Sequence, residues 1–401
     1  MKLLKNKFFK RISVLLLSLV LIFVGILGIY DYIIPDKVSY FEGNELPVFL
    51  YAEAASVKYD GEVTSSAQYK LFDVLPIKTV ELTSYKDIKL IPGGMPFGVK
   101  FFTEGLIISG FCDVDSEGGS VNPAKAAGLK IHDVITEIDG KSASGTGALS
   151  AAINASLGNE ITLTYLRGGE SRQVKITPVK SLSDGKYKTG IIIRDSGAGI
   201  GTISFIEPES KMFAGLGHGI CNTESGDLIP INRGAVVDVT ISGIEKGLSG
   251  APGEIKGFFK QNKLGSMTKN SHCGVFGVLA ELPQNPLSEA LPIGLKSDLR
   301  EGEASIFCTL DDGEMREYKV LISDVDKNAE GGKCFHVKVT DPALLEKTGG
   351  IIQGMSGSPI IQNGKLVGAV THVLINDPTT GYGIFIENML NAAQMPMAKA
   401  S

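Results

Sequence analysis

The residues best suited to chemistry lie in one short stretch, Gly354-Met355-Ser356-Gly357-Ser358-Pro359-Ile360, where two glycines flank a serine. A glycine at position 354 lets the backbone turn tightly, so that successive N–H groups can converge on one point. The amides of Gly354 and Ser356 could then stabilise the oxyanion that develops during acyl transfer. The stretch therefore predicts a nucleophilic serine. The competing interpretation is an ordinary Gly/Ser/Pro turn between strands.

A nucleophilic serine needs a positioned base near neutral pH. The chain has five histidines, at positions 132, 218, 272, 336 and 372. His218 stands between Gly217 and Gly219 at the end of an apolar run, with little side-chain bulk around it, and this setting predicts a general base. His372 is the rival candidate, because it follows the strand after the serine and could also line the substrate cleft.

A catalytic imidazole in turn needs a carboxylate to fix its tautomer. Spacing does not choose among the aspartates of the second half of the chain, which are Asp227, Asp238, Asp311, Asp312, Asp324, Asp326 and Asp341. Asp341 ends a predicted strand ahead of Ser356 and precedes Pro342, which favours an extended conformation for it. For any one of these aspartates, a turn or helix cap is the ordinary role.

The elements that must position these residues are short strands. From about residue 185 onward, apolar runs alternate with tight turns, and helical patterns are few, which predicts a closed or packed β architecture. A short helix is predicted at 386–393. The predicted strands are 190–194, 200–205, 211–216, 234–239, 274–279, 304–310, 318–322, 336–340 and 365–371.

Residues 91–180 form a separate unit that resembles a PDZ domain of the bacterial protease-associated kind. The resemblance rests on Ala126-Ala127-Gly128-Leu129-Lys130, followed by Asp133-Val134-Ile135 and then Asp139-Gly140-Lys141. It implies that an extended peptide is captured by β-augmentation. The expected groove consists of Pro96, Phe97, Gly98 and Val99. The alternative is a domain that only packs against its neighbour.

The N-terminus carries a membrane signal. Basic residues between Lys2 and Arg11 precede an uncharged apolar run from Ile12 to Tyr30, about the length of a bilayer-spanning helix. No clear cleavage site follows, so an uncleaved anchor is favoured over a signal peptide, with the chain after residue 35 facing outward. The net charge of −5 argues against nucleic acid as a partner.

Several motifs taken together are similar to the stage IV sporulation protein B family of serine peptidases. They are the segments 92–98, 216–220, 354–360 and 371–378, with the PDZ unit between the anchor and the serine motif. The resemblance implies a mainly β chain, with a PDZ domain followed by a trypsin-like double β-barrel and an N-terminal transmembrane helix. It implies His218 as base, Asp341 as acid and Ser356 as nucleophile, with Gly354 and Ser356 as oxyanion donors. No metal or cofactor is required.

The implied mechanism also needs a strand that pairs with substrate, expected at Gly368, Ala369, Val370, Thr371 and His372. The implied division of the chain is a signal anchor at 1–35, a stem and self-cleavage region at 36–90, the PDZ domain at 91–182 and the peptidase at 183–401.

The implied function is that of a membrane-anchored endopeptidase. Such an enzyme is exported, stays in the forespore membrane and faces the intermembrane space. It cleaves itself and then a membrane regulatory protein, which activates a late sigma factor during sporulation. One alternative is a PDZ-containing binding scaffold with an inactive protease-like domain. A cell-wall or lipid hydrolase is a weaker alternative, since an α/β sheet would need helices between its strands.

Overall fold

The computed structural model describes residues 2–60, 64–143, 145–222, 226–283 and 289–394. Helix α1 (Lys2–Ile33) comes first, and it contains a 22-residue segment, Ile12–Ile33, that is long and apolar enough to cross a membrane. Four strands follow it: β1 (Lys37–Phe41), β2 (Ala52–Asp60), β3 (Thr64–Leu71) and β4 (Leu75–Tyr85).

These four strands form a sheet of their own, in the order β1-β4-β3-β2. Residues of alternating strand positions, among them Tyr69, Val80 and Leu82, are buried against Tyr30 and Ile34 at the end of α1. The alternation is what gives the sheet one apolar face. The region 36–90, predicted as a stem, therefore contains a four-stranded sheet with its own apolar core.

The middle of the chain contains a second small unit. The elements of this part of the chain are β5 (Lys89–Pro92), β6 (Pro96–Phe111), β7 (Val114–Ser116), β8 (Gly119–Val121), α2 (Pro123–Ala126), β9 (Val134–Ile138), β10 (Lys141–Ser142), α3 (Thr146–Ala155), β11 (Ile161–Arg167), β12 (Glu170–Ile176), β13 (Val179–Lys180) and β14 (Tyr187–Lys188). Strand β5 and the first half of β6 lie outside the small unit. Leu149 and Ile153 of α3 pack onto the sheet residues Leu106, Ile135 and Leu163. This core is the one expected of the PDZ unit.

The remaining elements belong to two barrels. They are β15 (Ile191–Ile206), β16 (Met212–Gly215), β17 (Ile231–Glu245), β18 (Glu254–Ser271), β19 (Gly274–Leu279), β20 (Leu291–Pro292), β21 (Gly302–Thr309), β22 (Met315–Ser323), β23 (Phe335–Val339), α4 (Pro342–Thr348), β24 (Pro359–Gln362), β25 (Lys365–Leu374), β26 (Asp377–Phe385) and α5 (Ile386–Ala393). The helix predicted at 386–393 is confirmed with those bounds.

Both barrels have six antiparallel strands. The first runs β6-β17-β18-β19-β16-β15 and closes because β15 also pairs with β6. The second is the closed ring β21-β22-β23-β26-β25-β24. Two successive six-stranded barrels with an N-terminal apolar helix and a PDZ unit confirm the predicted fold class.

Strand β6 corrects the expected peptide groove. Gly98 and Val99 are paired on both edges, because Val99 lies opposite Gly199 on one side and Val236 on the other, and Pro96 and Phe97 pair with β15. Phe97 is fully buried in the core of the first barrel. A peptide cannot add to a strand whose two edges are already hydrogen-bonded, so the prediction of a groove at these four residues is wrong. The second half of β6, from Leu106, pairs with β9 in the PDZ unit.

The N-terminal sheet touches the second barrel through polar contacts. Lys37 Nζ lies 2.7 Å from a carboxylate oxygen of Glu330. The Ser39 hydroxyl donates to Oε2 of Glu387, at 2.6 Å, on helix α5. Desolvation raises the pKa of Glu387, which is almost fully buried. These contacts attach β1 to the loop after β22 and to the last helix.

A buried ion pair holds the PDZ unit together. Asp133 is only 2% exposed, and Arg167 donates to both of its carboxylate oxygens, at 2.7 and 2.6 Å. We expect Arg167→Gln to destabilise the PDZ unit by about 3 kcal/mol, because a buried carboxylate is left without its partner. Hydrogen exchange of residues 106–176 in the detergent-solubilised chain measures this loss.

The matched control is Arg172→Gln. Arg172 pairs with Glu170 at 2.8 Å, and both side chains are exposed to solvent. Such a surface pair contributes under about 1 kcal/mol, so exchange should hardly change. Equal effects of the two substitutions would contradict a structural role for the Asp133–Arg167 pair.

Candidate active site

The loop that carries Ser356 is pinned to the first barrel. Thr202 of β15 donates its backbone N–H to the Ser356 carbonyl, at 2.9 Å, and its hydroxyl to the Gly354 carbonyl, at 2.7 Å. Gly354 and Gly357 have positive φ angles of +97° and +100°. A Cβ at Gly357 would stand 1.9 Å from the Thr202 carbonyl oxygen, so only glycine allows this close approach.

The hydrogen bonds from Thr202 involve the carbonyls of the Ser356 loop and not its amides. Within the described part of the chain, the N–H groups of Gly354 and Ser356 have no hydrogen-bond partner, whereas their carbonyls bond to Thr202. Two free N–H groups beside a serine hydroxyl are what an oxyanion hole requires.

The Ser356 hydroxyl rests on a backbone carbonyl. Its Oγ donates to the Thr371 carbonyl oxygen, at 2.5 Å. Thr371 is itself fully buried, and its hydroxyl donates to the Gly332 carbonyl, at 2.6 Å. The hydroxyl must therefore turn away from Thr371 before it can pass its proton to a base.

His218 has the tautomer that a base needs. Its Nδ1 lies 2.9 Å from the Gly219 carbonyl oxygen, which can only accept, so Nδ1 carries the proton and donates it. The other nitrogen, Nε2, is then left as a proton acceptor. Desolvation lowers the pKa of His218 below the ordinary value of 6.5, so the ring stays neutral at neutral pH.

His372 stands beside this base. The two imidazole rings have centroids 4.8 Å apart and are tilted by 35°. Desolvation in the cleft wall, with the positive charges of His218 and Lys333, lowers the pKa of His372 to about 4. Both rings are therefore neutral together near pH 7, and neither repels the other.

Asp341 is not the partner of His218. Its Oδ1 accepts the backbone N–H groups of Ala343 and Leu344, at 3.0 and 3.3 Å, and its Oδ2 accepts that of Lys319. It is the N-cap of α4, followed by a proline at the first helical position. The prediction of Asp341 as triad acid is corrected, since the Gly219 carbonyl occupies the place of the carboxylate.

The expected substrate strand also needs correction. Gly368, Ala369 and Val370 are buried in β25, which pairs with β24 on one side and with β26 on the other. The Thr371 carbonyl is occupied by Ser356. Of the five predicted residues, only His372 lines the cleft.

The candidate catalytic residues line one cleft, which has a volume of about 1160 Å³. Ser356, Gly354, His218 and His372 all line it, with apolar side chains such as Leu216 around them. Asp341 is not among its lining residues.

Sequence reasoning missed one wall of this cleft, the strand Ser196-Gly197-Ala198-Gly199-Ile200. The signal was present, since a run of very small residues in a strand marks a place where another backbone approaches closely. Among the described lining residues, the only ones with a fixed charge are Arg194 and Lys333, and both are positive.

Comparison with known proteins gives partial likenesses of the PDZ unit and the barrels. A probable periplasmic serine endoprotease of the DegP-like kind from Halomonas elongata is 41% identical over 66 residues. That stretch is 16% of this chain and 13% of the relative, so the chain spans only a small part of the curated relative's length.

Two solved structures are similar in part. The active form of the Rv3671c protease of M. tuberculosis is 14% identical, with 51% of this chain and 76% of that chain covered, at a TM-score of 0.29. The PDZ domain of an SdrC-like protein of Listeria monocytogenes is 24% identical, with 22% and 87% covered, at a TM-score of 0.19. Scores this low support no conclusion about this chain.

Family models are more informative. The PDZ domain model matches residues 114–177, which contain α2, α3 and strands β9 to β12. The model described as SpoIVB peptidase S55 matches residues 185–390, just over half of the chain, and this range includes both His218 and Ser356. The chain therefore belongs to the SpoIVB peptidase S55 family of serine peptidases.

Proposed function

We propose that Ser356 is the nucleophile and His218 the general base of this serine endopeptidase. The observation that carries the proposal is a pair of N–H groups beside Ser356 that have no partner among the described residues. They lie in the same cleft as an imidazole whose Nε2 accepts no hydrogen bond from those residues and can take a proton. A serine in an ordinary turn would have neither of these neighbours.

The reaction follows from this geometry. Ser356 Oγ leaves the Thr371 carbonyl, passes its proton to His218 Nε2 and attacks the peptide carbonyl carbon. The N–H groups of Gly354 and Ser356 hold the oxyanion of the tetrahedral intermediate. His218 then protonates the leaving amine, and water releases the acyl group by the same steps. Throughout, the Gly219 carbonyl holds Nδ1–H and stabilises the imidazolium.

The proposed setting is the forespore membrane, with the enzyme anchored by α1 and exposed to the intermembrane space. There it cleaves itself and then a membrane regulatory protein, which activates a late sigma factor. The family match and the apolar segment Ile12–Ile33 support this proposal. The loop 43–51 of the N-terminal sheet, in which Val48 and Tyr51 are 60% and 71% exposed, is the segment we propose for self-cleavage.

Ser356→Ala should abolish self-cleavage, labelling by a fluorophosphonate and peptide hydrolysis, with a loss of at least about 10³-fold. The matched control is Ser358→Ala in the same loop. Ser358 is buried, and its hydroxyl has no hydrogen-bond partner among the described residues, so its removal leaves no partner behind. Terminal sequencing of the products compares the three proteins.

Two outcomes of that comparison would be decisive. Equal product patterns from Ser356→Ala and the unchanged chain would reject Ser356 as nucleophile. An unchanged chain that fails to react with the fluorophosphonate, while folded, would favour the inactive binding scaffold.

The pH dependence tests His218. A base is active when neutral, so its lowered pKa places the acid limb of kcat/KM below pH 6.5. His372→Glu should move this limb to higher pH, because a carboxylate beside His218 stabilises the imidazolium. His372→Gln should move it little, since His372 is already neutral there. An acid limb at or above pH 6.5 in the unchanged chain would contradict the assignment.

A further inference from the structure

Strand β15 has one unpaired edge. Residues 191–202 pair with β6 on one side, whereas β16 and β5 pair only with residues 203–206. Within the described residues, the other edge of 191–201 therefore has no strand partner. We call this stretch of backbone the β15 edge. An unpaired edge offers N–H and C=O groups to any extended chain that reaches it.

The β15 edge opens into the catalytic cleft. Ser196, Gly197, Ala198, Gly199 and Ile200 all line the cleft. Side chains of successive strand residues point to opposite faces. The five consecutive lining residues belong to both faces of the strand. The cleft therefore reaches the backbone edge of the strand as well as the face that Gly197 and Gly199 share with Phe101 and Val99 of β6.

The same edge continues into the PDZ unit. Helix α3 packs near the N-terminal part of β15, and Thr146 N–H of α3 donates to the Asp195 carboxylate, at 3.3 Å. Ile191 and Ile193 pack against the PDZ core. At its other end, Thr202 holds the Ser356 loop through two hydrogen bonds. One strand thus runs from the PDZ unit to the nucleophile.

The fixed charges that line the cleft are positive, and they favour an acidic substrate segment. Arg194 lies at the point where the cleft meets a second cavity of about 290 Å³ against the PDZ unit, and it lines both. Its side chain is exposed, and it makes no ion pair with the described residues. Lys333, the other charged residue of the cleft, is also positive.

We propose that the β15 edge binds the part of the substrate that follows the scissile bond, as an added antiparallel strand with an acidic residue at Arg194. This inference rests on the proposed function and extends it to the class of substrate, an extended acidic segment. An antiparallel segment with its scissile bond at Ser356 runs from Thr202 toward Ile191. Its C-terminal side therefore points to the PDZ unit.

The position of Arg194 along β15 predicts how far the acidic residue of the substrate lies from the cleaved bond. Arg194 is six residues from Ile200 and eight from Thr202. At about 3.3 Å per residue, this is roughly 20 to 26 Å. The acidic residue is therefore expected about six to eight positions after the cleaved bond.

The test uses the full chain in detergent micelles and long chymotryptic peptides from a bacterial lysate, with the cleaved bonds identified by mass spectrometry. Asp and Glu should be enriched about two- to fivefold at six to eight positions after the bond, the size of an exposed ion pair. Proline should be depleted up to the same distance, because it lacks the N–H that edge pairing needs.

Two variants make the test specific. Arg194→Glu should replace the acidic preference by a preference for Lys and Arg at those positions. Arg172→Glu makes the same change of charge on β12, away from the cleft, and should leave the profile unchanged.

The inference would be overturned if residue preferences were confined to about the first four positions after the cleaved bond. It would also be overturned if Arg194→Glu left the profile unchanged. Either result would leave the peptidase assignment intact. A flat profile together with dimers in detergent would assign the edge to a second copy of the chain. Failure of the unchanged chain to cleave any peptide would instead reject the proposed function, and the inference with it.

Discussion

The two hydrogen bonds from Thr202 to the Ser356 loop are the constraint on which the active site depends. They join a strand of the first barrel to the loop that precedes β24 of the second. They occupy the carbonyls of Gly354 and Ser356. The amides of the same residues are left without a partner among the described residues, in a loop that lines the cleft. The close approach is possible only because position 357 is a glycine, whose missing Cβ leaves room for the Thr202 carbonyl.

His218 is not oriented by a carboxylate, as the histidine of a Ser-His-Asp triad is. A backbone carbonyl, that of Gly219, fixes the tautomer of His218. It carries only a partial charge, so it stabilises the imidazolium less than a carboxylate would. Desolvation is the main cause of the low pKa of His218, and the hydrogen bond to the Gly219 carbonyl offsets only part of it. His372, which lies against the ring, is positioned to restrain its rotation.

Much of this could be read from the sequence because the signals are local. The Ser356 loop, the Gly-His-Gly setting of His218 and the bounds of α5 all follow from glycine positions and apolar periodicity. The sequence around Asp341 also contains a local signal, and it predicts a helix cap rather than a catalytic acid. An aspartate followed by proline at the start of a helical pattern is an N-cap, and the structure uses it as one. The groove predicted at Val99 is wrong for another reason. Periodicity identifies a strand but not its neighbours, and the neighbours of Val99 are Gly199 and Val236, 100 and 137 positions further along the chain.

The sharing of β6 and β15 has a mechanical consequence. Each strand begins in one folded unit and ends in another without a break, so no flexible linker joins the PDZ unit to the first barrel. The β6–β15 ladder pairs the strands on both sides of a register shift between Arg194 and Ser196, so swinging one unit against the other would break hydrogen bonds. A conformational change of the PDZ unit must therefore reach the nucleophile as a shift or twist of the two shared strands, because no flexible segment between the units can absorb it.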